Sequence, residues 1–297
     1  MNKQINFFIA IIALLVVSCA APKHSIQYNQ LALNSYNNQD YSQAVIEWNS
    51  YITSQLESKQ VVDPKAYAEL GKNYFMLKKY AEAENNFTIA RNEEYGDPDM
   101  YIMLSKLYKK KDNLSKEITA LEYYRDHYPL AKDSIMVGNR LFETSLESEN
   151  WEQAESIWAQ MDDSSKNEEK YLSVYFEMNK QLENKKKCDI VAKQLLNVNS
   201  KNHEALEWMA KKYYYLAENH YQDAMAKYNK KKTNKNYKIL LKELDQVTNE
   251  FKKSLKYFEV LWQMEDGKKY AKYFANIYAR FNDKKKSQYY KKLIKTQ

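Results

Sequence analysis

Apolar residues in this chain fall into two regimes. The first is one unbroken run, Phe7 to Val17 (FFIAIIALLVV), behind a start that carries the positive charge of Lys3. Such a run is too short for the roughly 20 residues that cross a bilayer as a helix, and it suits the core of an export signal. The second regime begins near Tyr28. There, apolar positions recur every three or four residues with polar ones between, which predicts a series of amphipathic helices. Only four Gly and four Pro occur in 297 residues. These residues punctuate strands and turns, so their scarcity points to long helices joined by short polar turns.

The helical pattern repeats. Residues 64–97 read Tyr67-x2-Leu70-Gly71-x2-Tyr74, then Tyr80-x2-Ala83-x3-Phe87-x2-Ala90. Small residues at 71 and 83 would let two short antiparallel helices approach, with Tyr74 and Phe87 filling the space between neighbouring units. Asp63-Pro64 and Asp97-Pro98 each place a capping acid before a proline suited to the first helical position. The spacing resembles the tetratricopeptide repeat, and the resemblance implies an all-α, tetratricopeptide-type α-solenoid of about seven helix pairs. Tyr67, Leu70, Gly71, Tyr74, Ala83 and Phe87 are the structural residues it identifies. Residues 28–58, 98–131, 134–166, 168–200 and about 268–295 keep the phase with weaker matches. In 98–131, Glu117 stands where the repeat has a small residue. In 168–200, Cys188 takes the small-residue place and reads as a buried packing residue.

One stretch breaks the rhythm. From Ala205 the apolar series runs on through Tyr213, Leu216, Ala217, Ala224 and Tyr228 without a breaker. The polar cluster Lys230 to Asn236 (KKKTNKN) ends it. A second series follows from Tyr237 to Trp262 and stops at Gly267. The pattern predicts one helix pair lengthened at its turn, a long hairpin over about 203–264, each arm about 42 Å long at 1.5 Å per residue.

The first nineteen residues carry an address. Ser18-Cys19 closes the apolar run and resembles the lipobox of bacterial lipoproteins. The resemblance implies a signal peptide over 1–18, acyl chains on Cys19, a lipidated tether over 19–26 and the helical body over 27–297. It also implies an outer-membrane lipoprotein, because Ala20 stands where an inner-membrane retention signal has Asp. It implies one facing the periplasm, because the acidic residues that follow the cysteine of surface-displayed lipoproteins are missing here. Two or more acyl chains give stable anchoring at about 0.8 kcal/mol per buried methylene. The whole reading is of a tetratricopeptide lipoprotein similar to those of Bacteroidota.

Candidate chemistry is thin. The four histidines, at 24, 127, 203 and 220, show no metal-ligand spacing, and the four glycines form no phosphate-binding loop. The sequence therefore predicts no metal, no cofactor and no enzyme. Charge is more informative. Residues 201–297 hold 22 Lys and one Arg against 11 acids, net +12, which leaves −5 for residues 1–200. The turn of the long hairpin gathers Lys227, Lys230, Lys231, Lys232, Lys235 and Lys238, with no acid between Met225 and Leu241. The run Tyr213-Tyr214-Tyr215 spans about 200° of a helix and must turn a ring outward, and Tyr214 is the expected one. These residues form the candidate interaction surface. The expected partner is an envelope protein or peptide, with anionic lipid or glycan as further candidates; the export signal removes nucleic acid. The leading functional expectation is a protein-interaction scaffold. Its rival is a glycan-binding lipoprotein that works with an outer-membrane uptake system.

Overall fold

The computed structural model describes residues 23–264 and 267–295; Cys19 and the signal stretch lie outside them. The chain divides into two compact units, residues 1–144 and 145–297. Both are built of helices. The first holds α1 (Lys23–Asn37), α2 (Tyr41–Glu57), α3 (Pro64–Met76), α4 (Tyr80–Asn92), α5 (Pro98–Lys110) and α6 (Leu114–His127), and α7 (Ser134–Glu147) runs across its end. The second holds α8 (Trp151–Gln160), the one-turn α9 (Asp163–Lys166), α10 (Glu169–Gln181), α11 (Lys185–Val198), α12 (His203–Lys230) and α13 (Asn234–Trp262). A 3₁₀ turn (Gly267–Tyr270), α14 (Ala271–Arg280) and α15 (Lys284–Lys295) complete it. With α9 set aside, the helices alternate as seven pairs in chain order. Helix α1 begins at Lys23, inside the stretch expected to be tether. Neither Gly nor Pro follows Pro22 there, so nothing in the sequence holds the helix off until residue 27.

A single turn design joins the two helices of six of the pairs. Gln39, Lys78, Asp112, Glu149, Glu183 and Asn282 all have positive φ, between 52° and 62°. Each N–H donates to the carbonyl three residues back, as Lys78 does to Phe75. The following N–H donates to the carbonyl five residues back, as Asp40 does to Ser35 and Asn113 does to Tyr108. This is the Schellman closure of a helix C-terminus. The residue after the closure then caps the next helix. Asp40, Asn113, Asn150, Asn184 and Asp283 accept from the backbone N–H three residues on. Glycine would sit in the left-handed position more cheaply, since other residues cost roughly 1 kcal/mol or more there. The chain uses charged and amide residues instead, and so its turns escape a search for glycine.

In the first unit the small residues bring helices close. Ala83, Phe87 and Ala90 are wholly buried, and Leu70 nearly so. Tyr67 and Tyr74 are half-buried and pack against the cluster of Trp48, Ile52, Val62 and Leu70. Glu117 does not disturb its unit. It is 3% exposed, and its two oxygens accept from Arg140 Nε at 2.7 Å and Nη2 at 3.0 Å. Arg140 also reaches Glu143 at 3.1 Å. An acid in the small-residue place is thus absorbed by a fork-shaped cation from α7.

In the second unit α12 and α13 pack antiparallel along their length. Ser254 donates to the Ala210 carbonyl at 2.8 Å near the base. His220 faces Glu250 at 3.3 Å in the middle, and Lys227 faces Glu243 at 3.5 Å further out. The usual turn is absent here: Lys231 closes α12 in an extended conformation and Thr233 caps α13. Leu206, Ala210, Ala217, Val247, Phe251 and Phe258 form the seam. Helix α14 lies against it and ends where the Arg280 guanidinium covers the Tyr221 ring at 3.8 Å.

Candidate interaction surfaces

The hairpin turn sets six cations in water. Lys227, Lys230, Lys231, Lys232, Lys235 and Lys238 are all exposed, and Lys227 alone among them pairs with an acid within 4 Å. Tyr214 does not join them. Its ring meets Tyr273 edge-on at 4.8 Å and Phe251 at 5.9 Å, and its hydroxyl accepts from Asn276 Nδ2. Burial raises its pKa. The ring that turns outward is Tyr215, 53% exposed. The expectation failed by one residue, 100° of helix, because α14 covers the face that Tyr214 occupies.

Two grooves combine aromatic rings with cations, one in each unit. In the first, α4, α5 and α6 enclose about 300 Å³ beside Arg91, Tyr101, Tyr108, Lys116 and Tyr123. Tyr101 and Tyr108 are buried and form its floor. Arg91, Lys116 and Tyr123 are exposed at its rim. Tyr123 lies between two parallel rings, Tyr101 at 4.1 Å and His127 at 3.8 Å. Burial, with the hydroxyl of Tyr123 beside it, holds the Tyr101 hydroxyl protonated well above its ordinary range. Lys116 is tied to Glu84 at 3.1 Å and lies over the Tyr108 ring. Sequence reading missed this groove, since Arg91 and Lys116 fall at unremarkable helical positions 25 residues apart. In the second unit a groove of about 790 Å³ is walled by Trp262, Met264, Phe274 and Tyr290 with Lys201 and Lys256.

A buried ionic knot braces α3. Lys72 is 6% exposed and lies 2.9 Å from Glu69 and 2.8 Å from Asp97. Burial works against its charge, but the two carboxylates outweigh burial and raise its pKa well above the usual lysine range. Tyr95 donates its hydroxyl to the same Asp97 oxygen at 3.2 Å. Every group in the knot is paired within it, so it serves to fix the α3–α5 junction rather than to bind. Cys188 is buried in its small-residue place, and burial raises its thiol pKa, which disfavours the reactive thiolate. Among the described residues no three His, Cys, Asp or Glu side chains come together as a metal site.

No protein-family profile matches the chain, and no curated protein does. Solved structures are similar at low identity. A tetratricopeptide repeat protein from Parabacteroides merdae shares 12% identity over 80% of this chain and 97% of its own, with a TM-score of 0.46. The C-terminal part of a TPR repeat-containing protein from Cytophaga hutchinsonii shares 16% over 89% of this chain and 93% of its own, with a TM-score of 0.40. A TPR repeats protein from Bacteroides fragilis shares 16% over 92% of this chain and 98% of its own, with a TM-score of 0.34. The fold is read from the helix pairs themselves, with Gly71 and Ala83 against Phe87 and a common turn between paired helices. They are of the tetratricopeptide type.

Proposed function

We propose that this chain is an outer-membrane lipoprotein, held by acyl chains on Cys19 and facing the periplasm, that serves as a protein-binding scaffold. The observation that carries the scaffold reading is the groove of the first unit. Its tyrosine floor offers rigid, amphipathic contact area, and Arg91 at the rim, beside Lys116 with its Glu84 partner, suits an extended segment bearing acidic side chains. The same geometry weighs against a glycan there. A sugar stacks on an open aromatic face, and Tyr101 and His127 already occupy both faces of Tyr123.

A photo-crosslinking amino acid in place of Tyr123 tests the reading in living cells. One discrete protein adduct is expected, absent when the crosslinker replaces Lys59 in an exposed turn. The adduct should fall severalfold when Arg91 and Lys116 are both replaced by Glu. The same yield with the doubly acidic groove would end the scaffold reading at this site. Anchoring is tested apart from binding. Cys19→Ala is expected to shift the protein out of the membrane fraction or to leave its signal uncleaved. A processed Cys19→Ala protein that stays membrane-bound would remove the acyl anchor.

A further inference from the structure

The antiparallel hairpin sorts its charges into bands that are not visible along the chain. From Met225 to Lys242, round the turn, there are seven lysines and no acid. Behind the turn, residues 219–227 of α12 lie beside residues 243–251 of α13, as His220 opposite Glu250 and Lys227 opposite Glu243 show. That band holds Asp223, Glu243, Asp245 and Glu250, with Glu218 at its edge, and one lysine, Lys227, which pairs with Glu243. A solvated Lys-rich helix would interleave the two signs along its face. Here seven lysines gather at the end, and the acidic band separates them from Lys211, Lys212, Lys252, Lys253 and Lys256 nearer the base.

The end also projects. Helix α14 stops beside Tyr221, where Arg280 covers that ring. The chain then turns back into α15, whose Tyr290 meets Trp262 at the hairpin's base. Beyond Tyr221, α12 continues to Lys230, about 14 Å at 1.5 Å per residue. Lys230 lies about 10 Å beyond Asp223, more than the Debye length of about 8 Å at physiological salt. Asp223 therefore screens Lys230 little, while Glu243 takes Lys227 as its partner at 3.5 Å. The cap carries apolar surface as well. Tyr237 is 48% exposed, and Leu241, one turn further along α13, is 46% exposed. Tyr228 and Tyr237 flank the turn with ring centres 5.9 Å apart.

We infer that the projecting end of the α12–α13 hairpin docks on an anionic lipid bilayer. Clustered ammonium groups, two tyrosines and an aliphatic side chain on one blunt end match a headgroup layer with negative charge outside and acyl carbon beneath. An acidic protein face would be met by the charges alone and would leave Tyr237 and Leu241 in water. The inference needs neither the groove of the first unit nor the acyl chains of Cys19.

Flotation with vesicles tests it, using residues 20–297 so that neither signal nor acyl chain contributes. That chain retains every described helix. Binding to vesicles of phosphatidylcholine with phosphatidylglycerol is expected at low salt, and little binding to phosphatidylcholine alone. The variant with Lys230→Gln, Lys231→Gln and Lys232→Gln should keep its circular dichroism and lose roughly 100-fold in vesicle affinity, at about 1 kcal/mol per lysine near the surface. Leu241→Ser should lose severalfold without any change of charge. The control carries Lys284→Gln, Lys285→Gln and Lys291→Gln, three exposed lysines of α15, and should bind within a few-fold of the unaltered protein. Equal loss in both triple variants would show that net charge, not the hairpin end, does the binding. Absence of flotation with phosphatidylglycerol at low salt would overturn the inference outright, as would indifference to Lys230–Lys232.

Discussion

Gly71→Leu is expected to destabilise the first unit by about 3 kcal/mol or more, the upper end of what overpacking costs. A glycine inside a helix is itself unfavourable, by about 1 kcal/mol against alanine, so α3 would gain from replacing it if helix propensity decided the matter. Space decides instead. A Cβ at position 71 would stand 2.6 Å from Phe87 Cδ1 and Cε1 and 3.2 Å from the Ala83 carbonyl oxygen. Phe87 is wholly buried in α4, so its ring has nowhere to retreat. Gly138 provides the matched control. It too lies inside a helix, α7, but a Cβ there meets nothing within 4 Å. Gly138→Ala should therefore raise stability by about 0.5–1 kcal/mol, the propensity gain alone. Urea unfolding followed by circular dichroism reads both variants. The close-packing account of Gly71 fails if Gly71→Leu unfolds at the same urea concentration as the unaltered protein, or if both glycines respond alike.

The elements that sequence revealed are those whose signal is local. The 34-residue echo of Asp63-Pro64 in Asp97-Pro98 placed two helix starts, because proline and an acid at a helix N-terminus act within one turn. The long hairpin was legible for the same reason: two apolar series met no breaker, and KKKTNKN was too polar to stay in a seam. The repeated turn was not seen, although its Asp or Asn cap recurs at 40, 113, 150, 184 and 283. Its left-handed residue is Gln, Lys, Asp, Glu or Asn rather than Gly, so the usual marker is missing. Site residues depended on which face a third helix covers. The choice between Tyr214 and Tyr215 was settled by α14, 57 residues away at its start, and no periodicity within α12 contains that information. Likewise Arg91 and Lys116 become neighbours of one groove only because α4 and α6 flank α5.

Glu117→Ala is expected to cost about 3 kcal/mol, although the residue looks like a misfit in its repeat. In a normal pair the position holds a small side chain, and alanine is the repeat's own choice, so sequence resemblance alone predicts that Glu117→Ala stabilises. The structure reverses that sign. The carboxylate is 3% exposed and takes two charge-assisted bonds from Arg140, at 2.7 and 3.0 Å. Removing it leaves Arg140, whose side chain is 15% exposed, with Glu143 at 3.1 Å as a carboxylate partner. Breaking one half of a buried pair typically costs about 3–5 kcal/mol where it strips the surviving charge of compensation. Glu143 moderates the loss and keeps it near the lower bound. It also leaves a cavity where the Glu117 side chain packed. Glu117→Gln keeps the shape and an acceptor but not the charge, and should cost roughly half as much. The double variant Glu117→Leu with Arg140→Met removes both charges together and should lie within about 1 kcal/mol of the unaltered protein. Urea midpoints for Glu117→Leu, Arg140→Met and the double give the coupling between the positions. A coupling near zero, with Glu117→Ala as stable as the parent, would mean that the pair is an incidental contact and that position 117 obeys the ordinary small-residue rule after all.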